Sequence, residues 1–328
     1  MKALVYTGTQ EVKYREEPEP QVGSGEVLLR VEVTGICGGD LHAYLGRDAR
    51  RVPPLILGHE VVGFVETGRR AGERVLLNPF ISCGQCRYCT TGRSNICPNR
   101  QHYGMHRSGT FTEHIVVPER NLIPVPDDLD SSAAVLAEPL AASVHAFELA
   151  ARAWPCPFEQ AKVLVLGAGA VGLAAALLLR HRGVAELLVG ETNPVRRDSA
   201  VAEGLSVYDP ISTEAPSQHF DIVLDAVGAG ATRAAAIATI ADGGVIALTG
   251  LHDNQGTIDM RKVTLSEVSI IGTYAYTHKN LQEALKAVHE GAMGSLAWVE
   301  QRSLAEGAGA LADLAAGRSR AAKIVLKP

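Results

Sequence analysis

Three groups of residues in this 328-residue chain have the types and spacing for chemistry. The first is Cys83-x2-Cys86-x2-Cys89-x7-Cys97. Four thiolates this close in sequence can close a tetrahedron around Zn2+ unaided. Gly84, Thr91, Gly92 and Pro98 suit the compact loop this needs. A site closed by four sulfurs has no open position, so its expected role is structural; an iron–sulfur cluster and a packing or disulfide role are the rival readings. The second group centres on Cys37 in GICGGDLH, Gly35 to His42. Its neighbourhood leaves three readings open: packing residue, redox thiol or metal ligand. His59 and Glu60 in LILGHEVVG and Glu138 in VLAEPLAA are further candidate donors, each ambiguous alone. A catalytic zinc uses about three protein ligands and keeps one position open.

The third group is a G-x-G-x-x-G, Gly167-Ala-Gly169-Ala-Val171-Gly172, after a buried-strand pattern and before an apolar helix. In that context the first glycine permits a tight turn. The second lets the backbone approach a pyrophosphate at a helix N-terminus, and the third allows close helix–strand packing. Glu191 ends the next predicted strand, 24 residues after Gly167. A carboxylate there can accept both ribose hydroxyls and repels a 2′-phosphate, which favours NAD over NADP. Arg196 and Arg197 follow and could attract a phosphate or lie over an adenosine.

These groups need elements to position them. The first third is β-rich: MKALVY, EVLLRVEVTGIC, EVVGFVETG, GERVLL and EHIVVP are short and β-branched, broken by Gly and Pro. From Ser131 the texture turns helical, with Ser131 or Ser132 as the expected N-cap. An alternation then follows: strand AKVLVLG, helix GAGAVGLAAALLLRHRG, strand AELLVGE, helix NPVRRDSAVAEG, strand FDIVLDAVG, helix ATRAAAIATIADGG, strand VIALTG and strand VSIIGTYAY. That pattern predicts an α/β fold with a doubly wound parallel sheet. The tail reads as helix NLQEALKAVHEG, a helix around 304–316, and a terminal strand AAKIVLKP.

Composition excludes several classes. Hydrophobic residues are 46% and charged residues 20%, with net charge −5, an ordinary globular balance. Arg47, Arg50 and Arg51, like Arg69 and Arg70, read as solvated surface arginines, and no basic stripe suggests nucleic acid. The apolar run from Val163 to Leu179 is punctuated by three glycines, so it reads as strand–turn–helix and not as a membrane span. The opening MKALVYTGTQEVKYREEPEP turns acidic early, no secretory signal is expected, and a cytoplasmic location is. Cys156, between two prolines, is expected to be no ligand.

GICGGDLH, GHEVVG, the four-cysteine lobe, AEPLA and GAGAVG, in this order, resemble the zinc-dependent medium-chain dehydrogenase/reductase (alcohol dehydrogenase) family. The resemblance is nearest to its sorbitol (polyol) and threonine dehydrogenase branches, and covers nearly the whole chain. It implies a GroES-like β-rich catalytic domain at 1–135, to which 273–328 returns, and an NAD-binding Rossmann domain at 136–272, with the active site between them. It implies a catalytic zinc on Cys37, His59 and Glu138, or alternatively with Glu60 as a direct ligand and the Glu138 contact then made through water. It also implies two zinc ions per chain and a cofactor face lined near Val227, Leu251 and Thr273. A homodimer or homotetramer is implied as well. Tyr44, Arg47, Tyr274 and Tyr276 are candidates for contact with a hydroxylated substrate.

The implied reaction is hydride transfer from a secondary alcohol (a polyol, sugar, cyclitol or amino alcohol) to NAD, giving the ketone. Primary-alcohol or aldehyde chemistry within the family, and a non-catalytic NAD(H) sensor, are the alternatives. One position departs from the family. Relatives commonly read GICGSD or GICGTD, and that hydroxyl passes the substrate proton towards the residue matching His42. This chain has Gly39 instead. Either water or a second substrate hydroxyl completes the path, or Gly39 makes room for a bulky substrate.

Overall fold

The computed structural model describes residues 1–319 and 321–328. The chain divides into two compact units, Met1–Glu138 with Thr277–His289 and Val299–Pro328, and Pro139–Tyr276 with Glu290–Trp298. Residues 290–298 thus belong with the second unit, whereas the sequence places them in the returning tail.

The first unit is built on a mixed sheet in the order Leu122–Pro124, Arg74–Leu77, Glu60–Val65, Glu26–Gly35, Lys323–Lys327 and Val299–Ser303, and His114–Pro118 also pairs with Glu26–Gly35. The long strand Glu26–Gly35 alternates buried and less buried residues, and Leu29, Val31, Val61, Val65, Val75 and Leu77 join one core cluster. The C-terminal strand runs antiparallel to it, with Val325 opposite Gly35 and Leu326 opposite Thr34. The last strand of the chain therefore lies beside the residues that lead into Cys37. A smaller sheet, Glu11–Glu16, Lys2–Gly8 and Leu55–Ile56, packs around Leu4, Tyr6 and Leu57. Tyr44 is buried in that cluster, while Arg47 is exposed.

In the second unit six strands run parallel in the order Ser206–Tyr208, Glu186–Gly190, Lys162–Leu166, Phe220–Asp225, Ile240–Leu248 and Ser269–Gly272. This is the 3-2-1-4-5-6 order of a doubly wound dinucleotide fold. The helix Ala170–His181 follows the first of these strands in sequence, and its buried residues from Gly172 to Leu179 explain the long apolar run.

Two sequence expectations shift. The helix starting at 131 is capped by Asp130, whose carboxylate accepts from Ser132 N at 2.8 Å and Ala133 N at 3.3 Å, and not by Ser131 or Ser132. A carboxylate at this position also complements the helix dipole. The strand expected from Val245 starts at Ile240, because Ile240 is fully buried and pairs with Phe220. Gly243, at φ 73°, carries the chain round the irregularity that follows. The run Ser131–Ala150 has the length and hydropathy of a membrane span, but 83% of it is buried within the fold, as in a core helix. Replacing Asp130 with Ala should lower stability by about 1 kcal/mol, read by chemical denaturation.

Candidate metal and nucleotide sites

The four-cysteine lobe is self-contained. Its sulfurs are separated by 3.5 Å (Cys86–Cys89), 3.5 Å (Cys83–Cys97), 3.8 Å (Cys86–Cys97) and 3.9 Å (Cys83–Cys89). A tetrahedron with Zn–S near ~2.3 Å has edges of about 3.8 Å, whereas a disulfide needs about 2.05 Å. The set fits a closed four-sulfur metal site and excludes disulfide pairing. Gly84 and Gly92, at φ 77° and 76°, make the turns that fold the loop on itself. The backbone N–H of Gln85 draws the Cys83 thiol down to about 6, which favours the thiolate that a metal needs.

The second donor group joins two parts of the first unit. Cys37 ends the run out of strand Glu26–Gly35 and serves as N-cap of the helix Gly38–Tyr44. His59 and Glu60 lie at the start of strand Glu60–Val65. One donor atom from each of Cys37, His59 and Glu60 lies within 4.8 Å of the others. Gly58, at φ 90°, makes the approach possible, since a side chain there would collide with the Phe111 ring. Glu138, although buried, lies outside this triplet, but its charge is among those acting on Cys37. His42 projects from the short helix that Cys37 caps.

Electrostatics explain what this cluster is for. Burial pushes the Cys37 thiol strongly up, and the charges of Glu60, Asp40 and Glu138 push it further. A thiol so disfavoured as an anion is a poor redox nucleophile. A divalent cation reverses that logic by compensating the surrounding negative charge. Burial, with the charges of Arg51 and Lys323, holds His59 well below its usual range, so its imidazole is neutral and can donate a lone pair. Its Nδ1 is buried without a hydrogen bond, 3.7 Å from Asp40 Oδ1. The donor set therefore fits zinc.

Asp40 holds this loop in place: its carboxylate accepts from Cys37 N at 3.0 Å and Gly58 N at 3.2 Å. Lys323, from the last strand, pairs with Glu60, and both side chains are fully buried. Its Nζ also donates to Ile36 O at 2.8 Å. Gly35 must be glycine because a Cβ there would run into the Glu60 carboxylate and the Lys323 side chain. Neither Asp40 nor Lys323 was singled out as a site residue from the sequence. The available signal for Lys323 was a lone lysine inside the apolar strand AAKIVLKP. Arg51 is a correction: expected on the surface, it is 5% exposed and lies beside Gly39. Cys156 is exposed and belongs to neither donor group.

The glycine loop has the geometry its motif requires. Gly167 takes φ 97°, and a Cβ there would meet Val227 Cγ2 at 2.5 Å. A Cβ on Gly172 would collide with Gly167 O, whereas Gly169, the N-cap of helix Ala170–His181, has open space around its Cα. Val171 O accepts from Ser143 Oγ. Glu191 is buried, and its carboxylate accepts from Ala168 N and Asn193 N, both at 2.8 Å. Arg196 Nη1 lies 3.9 Å from that carboxylate, while Arg197 turns to Asp209. Thr273 pairs with Thr249 through their hydroxyls at 2.8 Å, and Leu251 is well exposed. Asp225, unnoticed in the sequence, accepts from Val227 N and Gly228 N and fixes the turn under Val227.

A six-stranded parallel sheet with this loop, joined in one chain to a β unit with two metal-donor groups, defines a nucleotide-linked, metal-binding oxidoreductase. Comparison with known proteins gives the family. Residues 23–127 match the alcohol dehydrogenase GroES-like domain and residues 170–290 the zinc-binding dehydrogenase domain. The chain is 33% identical over 298 residues to an L-threonine 3-dehydrogenase of Mesorhizobium japonicum, covering 84% of this chain and 83% of that protein. It is 31% identical over 306 residues to the L-galactonate-5-dehydrogenase of Escherichia coli K12, covering 89% and 88%. The solved acetophenone reductase of Geotrichum candidum, in complex with NAD, superposes with a TM-score of 0.88 at 25% identity, covering 100% and 97%. The chain belongs to the zinc-binding medium-chain alcohol dehydrogenase family.

Breaking the buried pair tests how far the tail supports the site. Lys323→Met should cost about 3–5 kcal/mol, because it strands Glu60 in the interior. Adding Glu60→Gln should recover part of that loss in a denaturation cycle.

Proposed function

We propose that this protein oxidises a secondary alcohol on a polyhydroxylated or amino-alcohol substrate to the ketone, passing hydride to NAD. The observation that carries the reading is the convergence of Cys37, His59 and Glu60 at the end of the GICGGDLH loop, in a chain that also carries the nucleotide loop. The threonine and galactonate dehydrogenases to which it is similar act, by their names, on a hydroxylated amino acid and a sugar acid.

Two metal ions are assigned. Cys83, Cys86, Cys89 and Cys97 would hold a structural zinc. Cys37, His59 and one carboxylate, Glu60 or Glu138, would hold the catalytic one. The proximity of Glu60 favours it geometrically, whereas its buried pairing with Lys323 favours Glu138 as the lasting ligand. Bound there, zinc supplies Lewis-acid polarisation of the substrate oxygen, and NAD, bound at the glycine loop, supplies the hydride acceptor.

The rest is done by the protein's own side chains. Asp40 holds the Cys37 backbone and faces His59, so it fixes the orientation of both donors. Lys323 holds Glu60 against the loop. His42 receives the proton released from the substrate hydroxyl and passes it towards solvent. Gly39 offers no hydroxyl on that path, so a water or a substrate hydroxyl bridges it. In the nucleotide unit the N-terminus of helix Ala170–His181 receives the pyrophosphate, with Gly169 letting the backbone close in. Val227, Leu251 and Thr273 line the cofactor. Glu191 takes the ribose hydroxyls in exchange for its present backbone partners, and Arg196 flanks it. Solved relatives carry NAD in one case and NADP in another, and the buried carboxylate is what favours NAD here. The family resemblance supports a homodimer or homotetramer.

The test is NADH formation across polyols, aldonates, cyclitols and amino alcohols, with and without a chelator. Activity on at least one secondary alcohol, lost with the metal and restored by zinc, is expected. Activity that survives complete metal removal would refute the reading, and silence on every alcohol would favour an NAD(H) sensor. Glu191→Ser should shift kcat/KM towards NADP by about tenfold or more, because a like-charge barrier to the 2′-phosphate is removed.

A further inference from the structure

The position where relatives carry a hydroxyl is not simply open. A Cβ on Gly39 would lie 3.1 Å from Arg51 Nη2, 3.6 Å from Nη1 and 3.7 Å from Cζ. A guanidinium thus faces the glycine two residues from Cys37. This cation is buried, with only 4% of its side chain exposed. A buried arginine normally spends its five N–H groups on acceptors. Here Nε donates to Gly104 O at 3.0 Å and Nη1 to Asp48 Oδ2 at 2.5 Å. Nη2, the nitrogen nearest Gly39, donates to no acceptor among the described residues.

No carboxylate nearby is spent on Nη2 either. Asp48 is shared: Arg50 takes its Oδ1 at 2.8 Å and its Oδ2 at 3.0 Å, and Arg51 takes Oδ2 as well. Two arginines therefore divide one carboxylate. Asp40, the other acid in range, is committed to the backbone N–H groups of Cys37 and Gly58. The Arg51 charge reaches His59 and Asp40, so it acts in the neighbourhood of the metal-donor group.

We propose that Arg51, facing the substrate through the gap left by Gly39, is a specificity-determining residue that receives an anionic group on the substrate through Nη2. The inference rests on the dehydrogenase reading and narrows it. The substrate is a polyol carrying an acidic oxygen group near the reacting carbinol. A carboxylate and a phosphate monoester share the acceptor chemistry, and guanidinium pairs with both. Gly39 then has a positive reason: a serine or threonine there would crowd the guanidinium and take its free N–H.

The test compares matched substrates on the NAD-loaded holoenzyme: hexonates, the corresponding neutral alditols and alditol phosphates. The readout is the ratio of kcat/KM on anion to kcat/KM on neutral partner, for wild type, Arg51→Gln, Arg51→Lys and Gly39→Ser. Wild type should prefer one anionic class. Arg51→Gln should lower that ratio by about 10–100-fold, the worth of one charge-assisted hydrogen bond, chiefly through KM. Arg51→Lys should recover part of it, and Gly39→Ser should lower it with the Asp48 and Gly104 ties intact. Calorimetric binding of the same hexonates and phosphates to the NADH-loaded enzyme repeats the comparison without turnover. It separates failure of this proposal from failure of the dehydrogenase reading. No anion preference in wild type, by rate or by binding, overturns the proposal. Equal losses on neutral and anionic partners in both Arg51→Lys and Gly39→Ser also overturn it, because that is the signature of a purely structural arginine. Preference for hexonates identifies a carboxylate, and preference for alditol phosphates a phosphate; both support it.

Discussion

The ion pair between Lys323 and Glu60 is the constraint on which the rest of the first unit turns. Both side chains are fully buried, so each charge depends on the other. Two buried charges are costly unless their geometry is good and further hydrogen bonds satisfy them. Lys323 meets that condition with a second partner, Ile36 O. The consequences run outward. Strand Lys323–Lys327 must pair beside Gly35, Gly35 must lack a side chain, and the chain must turn at Ile36 to present Cys37. The last strand of the protein thereby fixes the first residue of its candidate metal site.

Charge organises the two donor groups in different ways. The four-cysteine lobe needs nothing beyond its own loop: short spacing, two left-handed glycines and backbone N–H groups that favour a thiolate. The Cys37 group is the opposite case. Its donors come from separate segments, and its surplus of carboxylates is an electrostatic deficit that a divalent cation would fill. Arg51 and Lys323 moderate that deficit from two sides, and Arg51 does so with a donor to spare. The nucleotide unit is simpler still: two glycines, Gly167 and Gly172, that have no room for a side chain, and a buried carboxylate, Glu191, held by the backbone N–H groups of Ala168 and Asn193.

What was legible in the sequence was local. β-branched runs, the β/α alternation and the four-cysteine spacing each encode their structure within a few residues, and the parallel sheet follows them closely. The glycine loop was legible because Gly167 and Gly172 answer to nearby backbone and side-chain clashes, while Gly169 leaves the helix N-terminus open. What escaped depends on distance. Arg51 reads as half of a surface doublet, and only the fold places Arg50 in solvent and Arg51 beside Gly39. Lys323 meets Ile36 across 287 residues, beyond any periodicity. The start of strand Ile240–Leu248 was hidden by an alanine-rich helix that continues without a composition change until Ile240 needs burial. The Asp130 cap lost to two serines that have the same propensity but sit one and two residues too far along.

We propose that one chain holds two chemically different zinc sites. X-ray absorption at the zinc edge of the purified enzyme tests it directly. Five candidate thiolates, four in the lobe and Cys37, shared by two ions give about 2.5 sulfur neighbours per zinc, the remainder being nitrogen or oxygen. An average near that value, rising to four in Cys37→Ala enzyme that retains a single zinc, is what the account predicts. Four sulfurs per zinc in the unmodified protein, meaning that only the lobe is metallated, would contradict it.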